Sequence, residues 1–288
     1  QVCRVSPDQV CVGNGTAELI WLITHAFLRP GERVLILGPT FGEYARAAAA
    51  LGADVKEIRA CAPLFTPPVD TLLTAVRQQR PRLVFLCNPN NPTGKNITKD
   101  KVQEFVRICS KDSTLVIDQA YSSFVNGVIF EPNPAPNVLV LRSMTKDFAL
   151  AGLRLGYLIG EPNQVALMKA FQPAWSVNTY AQAAGLAVLS DLDYYQTTFR
   201  LIQEMQGSFY EDIRSAGYHL INSDVHFALV NSDDSAYQLR TRLMKSGLQV
   251  RDCSSFGLPD YIRVSTRQKA ENEMLIHALK QIKTSSPQ

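Results

Sequence analysis

The chain has 288 residues, of which 46% are hydrophobic and 19% charged, and its formal net charge is +3. This composition excludes a disordered chain, and the scattered lysines and arginines lack the clustered basic pattern of a nucleic-acid-binding protein. The length exceeds that of a usual single core, so we expect one large domain and one smaller domain.

Short β-branched segments alternate with longer helical segments over the first 160 residues. Strands are predicted at 34–37, 82–87, 114–118, 138–142 and 156–160, and helices at about 16–28, 42–51, 69–78 and 98–111. The strand segments are continuously apolar, which is typical of strands buried on both faces. The pattern therefore predicts an α/β fold, with a mostly parallel mixed sheet between two layers of helices.

The pattern changes after about residue 190. A long helix at about 191–216 precedes the strand-like segments YHLIN, VHFALV, LQVRDC and YIRVS, with helices at 234–246 and 268–283. Runs of strands with fewer helices indicate an α+β subdomain. We predict a large domain over residues 1–190 and a smaller C-terminal domain over residues 191–288.

Several classes of protein are excluded by what the sequence lacks. No apolar segment approaches the roughly 20 residues that cross a bilayer. The six cysteines and four histidines are dispersed without metal-ligand spacing, so we expect reduced, structural cysteines, satisfied or surface histidines and no metal site. A cytoplasmic protein that binds small molecules, and neither nucleic acid nor membrane, is the resulting expectation.

The first candidate motif is CVGNGTAELIWLITHAF at 11–27, where a short strand leads through glycines into an apolar-periodic helix. Exposed amides and the helix dipole at such a start favour a phosphate. The signal is weak by itself, because Glu18 replaces the third glycine of a dinucleotide-binding motif and Thr16 also makes a good helix N-cap.

The second motif, CNPNNPTG at 87–94, follows a predicted buried strand. Proline and asparagine favour tight turns, so a plain turn is one explanation. At the carboxyl end of a sheet strand, such a turn would also direct an asparagine side chain into the crevice where α/β proteins bind ligands.

The third motif is VIDQAYSSF at 116–124, in which Asp118 ends a strand and Tyr121 follows three residues later. A carboxylate that emerges from a buried strand needs a cation, because an unpaired buried charge is costly. A helix N-cap is the alternative explanation for Asp118.

The fourth motif, RSMTKDFALAGLRLGY at 142–157, places Lys146 and Arg154 among small and apolar neighbours. A desolvated lysine near other cations loses pKa and reacts with carbonyl groups, whereas arginine remains charged and binds phosphate bidentately. Together they predict a ligand that carries an aldehyde and a phosphate.

These motifs, in this order, resemble those of the fold-type-I pyridoxal-phosphate enzymes, the class I and II aminotransferases. The resemblance covers nearly the whole chain and is strongest to the histidinol-phosphate aminotransferase and threonine-phosphate decarboxylase branches. It implies that Lys146 holds pyridoxal 5'-phosphate and moves the substrate proton, while Asp118 pairs with the pyridine nitrogen and Tyr44 supports Asp118. The other residues that it assigns to the cofactor are Asn91, Tyr121, Phe41, Ser143, Thr145, Arg154, Gly15, Thr16 and Ala17.

For the substrate, the resemblance implies Arg251 and Arg263, with Asn91 beside them and Asn178 as a further pocket residue or a helix cap. Two guanidinium groups suit a substrate with two anionic groups. Relatives also carry an N-terminal arm that contributes to a partner subunit, and nothing in this sequence corresponds to it. We expect a homodimer of a chain that is either trimmed or a fragment, with cofactor affinity, substrate closure and the dimer contact dependent on that arm.

Three functions remain open from the sequence. Transamination of a phosphorylated or dicarboxylic amino substrate is preferred, and decarboxylation of threonine phosphate, a step of cobalamin biosynthesis, uses the same residues. A truncated, non-catalytic chain that binds the cofactor is the third. A nicotinamide-dependent oxidoreductase would explain the glycine-rich start of the first helix but neither Lys146 nor the NNPTG turn.

Overall fold

The computed structural model describes residues 5–109, 112–125, 135–233 and 235–285. Its β-strands are β1 (Val10–Asn14), β2 (Arg33–Gly38), β3 (Asp54–Arg59), β4 (Leu83–Cys87), β5 (Thr114–Asp118), β6 (Val138–Ser143), β7 (Leu155–Ile159), β8 (Phe227–Asn231), β9 (Arg251–Asp252) and β10 (Tyr261–Ser265). Its α-helices are α1 (Gly15–Phe27), α2 (Glu43–Ala50), α3 (Val69–Gln79), α4 (Lys99–Ile108), α5 (Met144–Asp147), α6 (Pro162–Phe171), α7 (Thr179–Leu189), α8 (Leu192–Ser215), α9 (Ala236–Lys245) and α10 (Lys269–Ser285).

The first seven strands form one mixed sheet in the order β1-β7-β6-β5-β4-β2-β3. Strands β2 to β6 run parallel, and β7 is antiparallel to both of its neighbours. Every residue of β4 and β5 is buried, as their continuous apolar sequence predicts. The predicted α/β fold with a mostly parallel mixed sheet is therefore confirmed.

Both faces of this sheet are covered. Alternate residues of β2 enter different cores, since Val34 and Ile36 pack in one cluster while Leu35 and Leu37 pack in another. The first core includes residues of α1, α2 and α6, and the second includes residues of α3 and α4. Because successive side chains of a strand point to opposite faces of the sheet, helices can pack on both faces, and the domain has three layers: helices, sheet and helices.

The C-terminal part contains a separate antiparallel sheet in the order β8-β10-β9. Helices α8, α9 and α10 contribute apolar residues to the core beneath it. The predicted strand YHLIN is wrong, because this segment makes only an isolated bridge between Leu220 and Val230. LQVRDC was also predicted too long, since only its residues 251–252 pair with β10.

Elements without a strong apolar pattern were not predicted. Strand β3 is charged and largely exposed at the edge of the large sheet, so its sequence DVKEIR lacks a buried run. Helix α6 buries only Val165 and Met168, which leaves a weak helical periodicity.

Candidate active site

The functional motifs lie where strands of the large sheet end. Cys87 at the end of β4 pairs in register with Asp118 at the end of β5, and Asp118 pairs with Leu141 near the end of β6. The turns that follow these parallel strands therefore meet at one edge of the sheet. The carboxyl end of β1, which leads into α1, lies on the other side of β7 from β6.

Lys146 belongs to the one-turn helix α5, which follows β6 directly. Its Nζ lies 6.0 Å from the centroid of the Tyr121 ring and faces a cavity of about 410 Å³. Partial burial, together with the positive charges of Arg263 and Arg154, lowers the pKa of the amine, and the Asp118 carboxylate opposes this effect. A larger fraction of the amine is thus neutral and nucleophilic than in a free lysine.

Asp118 is only 4% exposed, and both of its carboxylate oxygens accept hydrogen bonds. The Tyr44 hydroxyl donates to Oδ2 at 2.7 Å, and the Ala120 amide donates to Oδ1 at 3.0 Å. Burial raises the pKa of the carboxyl group, whereas these two hydrogen bonds and Lys146 lower it. Among the described residues, no cation lies within 4 Å of Asp118 to form an ion pair, so the carboxylate is oriented but not neutralised.

Arg263 joins the C-terminal sheet to the turns of the large sheet. Its Nη1 donates a hydrogen bond to Oδ1 of Asn91, and its guanidinium lies 4.8 Å from the centroid of the Phe227 ring. Burial raises the pKa of Tyr121 to about 12, while the charge of Arg263 and a side-chain hydrogen bond from it act in the opposite direction. Tyr121 therefore remains a neutral hydrogen-bond donor at physiological pH.

A group of polar side chains and backbone amides surrounds Arg154. The hydroxyls of Ser143 and Thr145 hydrogen-bond each other at 2.7 Å, and Arg154 donates to the Ala151 carbonyl at 3.1 Å. Gly15 has a φ of +72°, and a Cβ on it would lie 2.6 Å from Nη2 of Arg154. Only glycine permits this approach of a guanidinium to the start of α1.

Glycine is also required on the other side of that helix start. A Cβ on Gly156 of β7 would lie 2.8 Å from the backbone nitrogen of Thr16. The amides at the first turn of α1 and the Arg154 side chain are thereby brought together, which is the arrangement that binds phosphate groups.

Arg251 occupies a more open position. Its Nη2 donates to Oγ of Ser255 at 2.8 Å, and its guanidinium lies 5.6 Å from the centroid of the Phe256 ring. The residue is exposed and belongs to the two-residue strand β9.

The structure places twelve of the thirteen candidate site residues on the wall of the same cavity: Thr16, Ala17, Phe41, Asn91, Asp118, Tyr121, Ser143, Thr145, Lys146, Arg154, Arg251 and Arg263. Gly15 is the thirteenth and lies against Arg154. The sequence analysis missed Cys87, Glu43, Ser255 and Phe256, which also line the cavity. Their proximity to the motifs was the only available signal, since none of them carries a pattern of its own.

The structure decides between the two explanations of Asn178 and corrects the prediction for His226. Asn178 caps α7 by accepting a hydrogen bond from the Ala181 amide at 2.9 Å, and it does not line the cavity. His226 is not a satisfied or surface histidine. Its Nδ1 is buried without a hydrogen-bond partner among the described residues, and its ring lies 3.9 Å from that of Phe124.

The remaining cysteine and metal predictions can be compared with the described part of the chain. The five cysteines there are free, and four of them are buried. No group of three or more potential metal-ligating side chains occurs within residues 5–109, 112–125, 135–233 and 235–285. In the same ranges, no helix is both long and apolar enough to span a bilayer.

Comparisons with known proteins agree with the geometry. The sequence profile of the family described as "Aminotransferase class I and II" matches residues 1–279. Histidinol-phosphate aminotransferase 2 of Carboxydothermus hydrogenoformans is 32% identical to this chain, over an alignment that covers 96% of this chain and 78% of the relative.

Two solved structures illustrate the range of similar enzymes. L-threonine-O-3-phosphate decarboxylase from Porphyromonas gingivalis has a TM-score of 0.88 and 25% identity, over 99% of this chain and 86% of that one. Histidinol-phosphate aminotransferase from Sinorhizobium meliloti, solved in complex with pyridoxal-5'-phosphate, has a TM-score of 0.89 and 24% identity, over 98% and 79%. With a family match over almost its full length, the chain belongs to the class I and II aminotransferases.

Proposed function

We propose that this protein is a pyridoxal-phosphate-dependent aminotransferase that moves an amino group between a phosphorylated or dicarboxylic amino substrate and a 2-oxo acid. The observation that supports this most is the convergence of Lys146, Asp118 and Arg154 on one cavity of about 410 Å³. An amine with a lowered pKa, a buried carboxylate and a guanidinium match the aldehyde, the pyridine nitrogen and the phosphate of the cofactor.

The chemistry of the remaining wall also fits the cofactor. Asp118 is buried without an ion-pair partner among the described residues, which suits a protonated ring nitrogen. The Ser143 and Thr145 hydroxyls, Arg154 and the first-turn amides of α1 from Gly15 to Ala17 would hold the phosphate. Asn91 and Tyr121 would hydrogen-bond the ring oxygen, and Phe41 would stack on the ring face.

When bound, pyridoxal phosphate supplies an electron-withdrawing ring that weakens the bonds at the substrate α-carbon. Lys146 would hold the cofactor aldehyde through Nζ. The same amine, when free, would take the proton from the substrate α-carbon and return it to the product. Asp118 would keep the ring nitrogen protonated, and the hydrogen bonds from Tyr44 and Ala120 hold its carboxylate in place for that role.

The two arginines of the C-terminal sheet would bind the substrate. Each guanidinium can hold a carboxylate or a phosphate bidentately, so Arg251 and Arg263 favour a substrate with two anionic groups. We place the boundary between a large cofactor-binding domain and a smaller substrate-closing domain at residues 190 and 191, between α7 and α8.

We also propose that the protein acts as a homodimer. Large apolar side chains are exposed in the segment around α7, with Trp175 96%, Tyr180 82% and Leu186 74% exposed. Exposed apolar side chains of this size are typical of protein interfaces. Sedimentation of Trp175→Asp with Tyr180→Asp should show a monomer where the unmodified chain shows a dimer. A dimer that persists would assign the interface elsewhere.

The cofactor assignment has a direct spectroscopic test. The purified chain mixed with pyridoxal phosphate should gain an absorbance band near the visible edge, and borohydride should fix the cofactor onto the peptide that contains Lys146. Lys146→Ala should lose both signals, and Lys169→Ala, a change at an exposed lysine on α6, should retain both. A band that survives in Lys146→Ala contradicts the proposal.

Decarboxylation is the second candidate, supported by the similarity to the Porphyromonas gingivalis enzyme. The two reactions differ in which bond at the α-carbon is aligned for cleavage. Incubation with threonine phosphate should release no carbon dioxide if the protein is an aminotransferase, and histidinol phosphate with 2-oxoglutarate should yield glutamate. Carbon dioxide release without amino transfer would make decarboxylation the preferred function and transamination the second candidate.

A further inference from the structure

Arg251 lies directly opposite Arg263 in the C-terminal sheet, because the two residues pair in register between β9 and β10. Like charges directly opposite each other on neighbouring strands repel. Among the described residues, no carboxylate forms an ion pair with either guanidinium. A substrate anion would relieve this repulsion. Until it binds, other contacts must keep Arg251 at the cavity.

Two contacts of the Arg251 side chain come from one short turn, residues 254–257. Its Nη2 donates a hydrogen bond to Oγ of Ser255 at 2.8 Å, and its guanidinium lies 5.6 Å from the centroid of the Phe256 ring. Ser255 and Phe256 also line the cavity. A single helical turn is not stable without tertiary contacts. The position of Arg251 therefore depends on what holds residues 254–257.

Arg59, the last residue of β3, contacts this turn from the large sheet. Its Nη2 donates a hydrogen bond to the Phe256 carbonyl at 2.6 Å. Gly257 has a φ of +70°, and a Cβ on it would lie 3.0 Å from the same Nη2. Glu57, two residues earlier in β3, forms an ion pair with Nη1 of Arg59 and so orients the guanidinium. Arg59 thus lies close against the backbone of the turn.

Apolar packing joins the same two parts of the chain. The Phe256 side chain packs against a cluster that contains Ala60, the residue after Arg59, and Tyr261 of β10. The Phe256 ring is therefore held between the end of β3 and the C-terminal sheet, while Arg59 binds the backbone that carries this ring.

We propose that Arg59 is a positioning residue for substrate binding: through residues 254–257 it keeps Ser255 and Phe256 where they hold Arg251 at the cavity. The inference rests on the proposed function in taking Arg251 as a group that binds a substrate anion. Arg59 does not itself line the cavity, so it acts on the substrate through the turn. It restrains the backbone of the turn and leaves the Arg251 guanidinium free to adjust. Without Arg59, the turn and Arg251 would move away from Arg263, and a substrate with two anionic groups would bind less tightly.

The first test needs neither cofactor nor substrate. Hydrogen–deuterium exchange of the full chain, read by mass spectrometry, reports the opening of the turn, because the amides of residues 256–258 are hydrogen-bonded to the carbonyls of residues 253 and 254. Arg59→Ala should make the exchange of these amides about tenfold faster. Arg33→Ala is the matched control and should leave their exchange unchanged. Arg33 pairs with Asp54 at the other end of β3, and its side chain is 43% exposed, compared with 38% for Arg59.

The second test asks whether Arg59 acts through Arg251. With a substrate that has two anionic groups, Arg59→Ala should raise KM about threefold and leave kcat within about twofold, because the groups that carry out the chemistry keep their positions. Arg251→Gln should raise KM about fivefold. The double variant should also raise KM about fivefold, whereas independent effects would multiply to about fifteenfold. Arg33→Ala should leave both constants unchanged.

Two results would overturn the proposal. One is unchanged exchange of residues 256–258 in Arg59→Ala. The other is a KM of the double variant that rises by the product of the two single effects, since Arg59 would then act independently of Arg251. If the unmodified chain forms no absorbance band with pyridoxal phosphate, the proposed function fails, while the exchange result still shows whether Arg59 holds the turn.

Discussion

The cavity has two walls that are built differently. We call one wall the floor; it consists of Asp118, Lys146 and the other residues that follow strands of the large sheet. Internal hydrogen bonds, such as the one from Tyr44 to Asp118, hold the floor in place. The roof consists of Arg251 and Arg263 of the C-terminal sheet. Arg263 is hydrogen-bonded to Asn91 of the floor, whereas the Arg251 side chain is hydrogen-bonded to Ser255, four residues further along the chain.

Because Arg263 has a partner distant in sequence and Arg251 a local one, we expect Arg263 to be preorganised and Arg251 to be able to adjust to the substrate. Asp118 and Arg263 have their positions set by partners distant in sequence, so their loss should affect the chemical step. Arg251 is exposed and locally bonded, so it can follow substrates of different length at little cost. We expect the effects of substitution to fall from the floor to Arg263 and then to Arg251.

The largest effect should come from Asp118→Asn. This change removes the charge that we propose keeps the ring nitrogen protonated. Breaking one partner of a buried charge pair costs about 3–5 kcal/mol, or roughly two to four orders of magnitude in kcat. The absorbance band of the cofactor bound at Lys146 should remain. Steady-state kinetics measures the loss, with Asp212→Asn on α8 as the control. A kcat within tenfold of the unmodified enzyme would refute the role of the floor.

Arg263→Gln should reduce kcat/KM about a hundredfold, since truncating a hydrogen-bonded, partly buried charge costs roughly 2–5 kcal/mol. Both kcat and KM should change, because Asn91 and Tyr121 lose a shared partner. Measuring the two constants separately tests this. An effect on KM alone would show that Arg263 belongs with the adjustable group.

Arg251→Gln should raise KM about fivefold and leave kcat within twofold, because an exposed ion pair contributes about 1 kcal/mol or less. A substrate with a single anionic group should be affected less than one with two. Should kcat fall as far as in Arg263→Gln, the distinction between the two arginines would disappear.

The smallest expected effect is a change of protein stability with pH that is caused by Asp147, the residue after Lys146 of the floor. Burial raises the folded-state pKa of Asp147 from 3.8 to about 7, so the folded state binds more protons than the unfolded state between these values. The free energy of unfolding should therefore fall as the pH rises from about 4 to about 7. Asp147→Asn should remove this contribution and raise Tm by about 2–4 °C at pH 8 and not at pH 4. Equal shifts at both pH values would contradict the raised pKa.

Much of the fold could be predicted because its signals are local. The continuous apolar segments became β4 and β5, which are buried on both faces. Strand β3 was missed because an exposed edge strand needs no apolar pattern, and YHLIN failed because burial of single residues such as Leu220 does not require strand pairing. Asn91, Asp118 and Lys146 were singled out for a similar reason, since they lie at or just after strands whose ends could be located in the sequence. Phe41, Arg251 and Arg263 were assigned by the resemblance to the family.

The sequence by itself determined most of the strands and helices, the motifs at the strand ends and the family to which they point, since all of these depend on residues close together in the chain. Only the tertiary structure decided which groups restrain one another. The bond from Arg263 to Asn91 joins residues 172 positions apart, and the bond from Tyr44 to Asp118 spans 74 positions. The burial of Oδ1 of Asp147 and Nδ1 of His226 likewise depends on packing between segments that the sequence does not place side by side. Charge, burial and hydrogen bonding act through space, so the pKa of Lys146 and the rigidity of the floor follow from the folded arrangement of these segments.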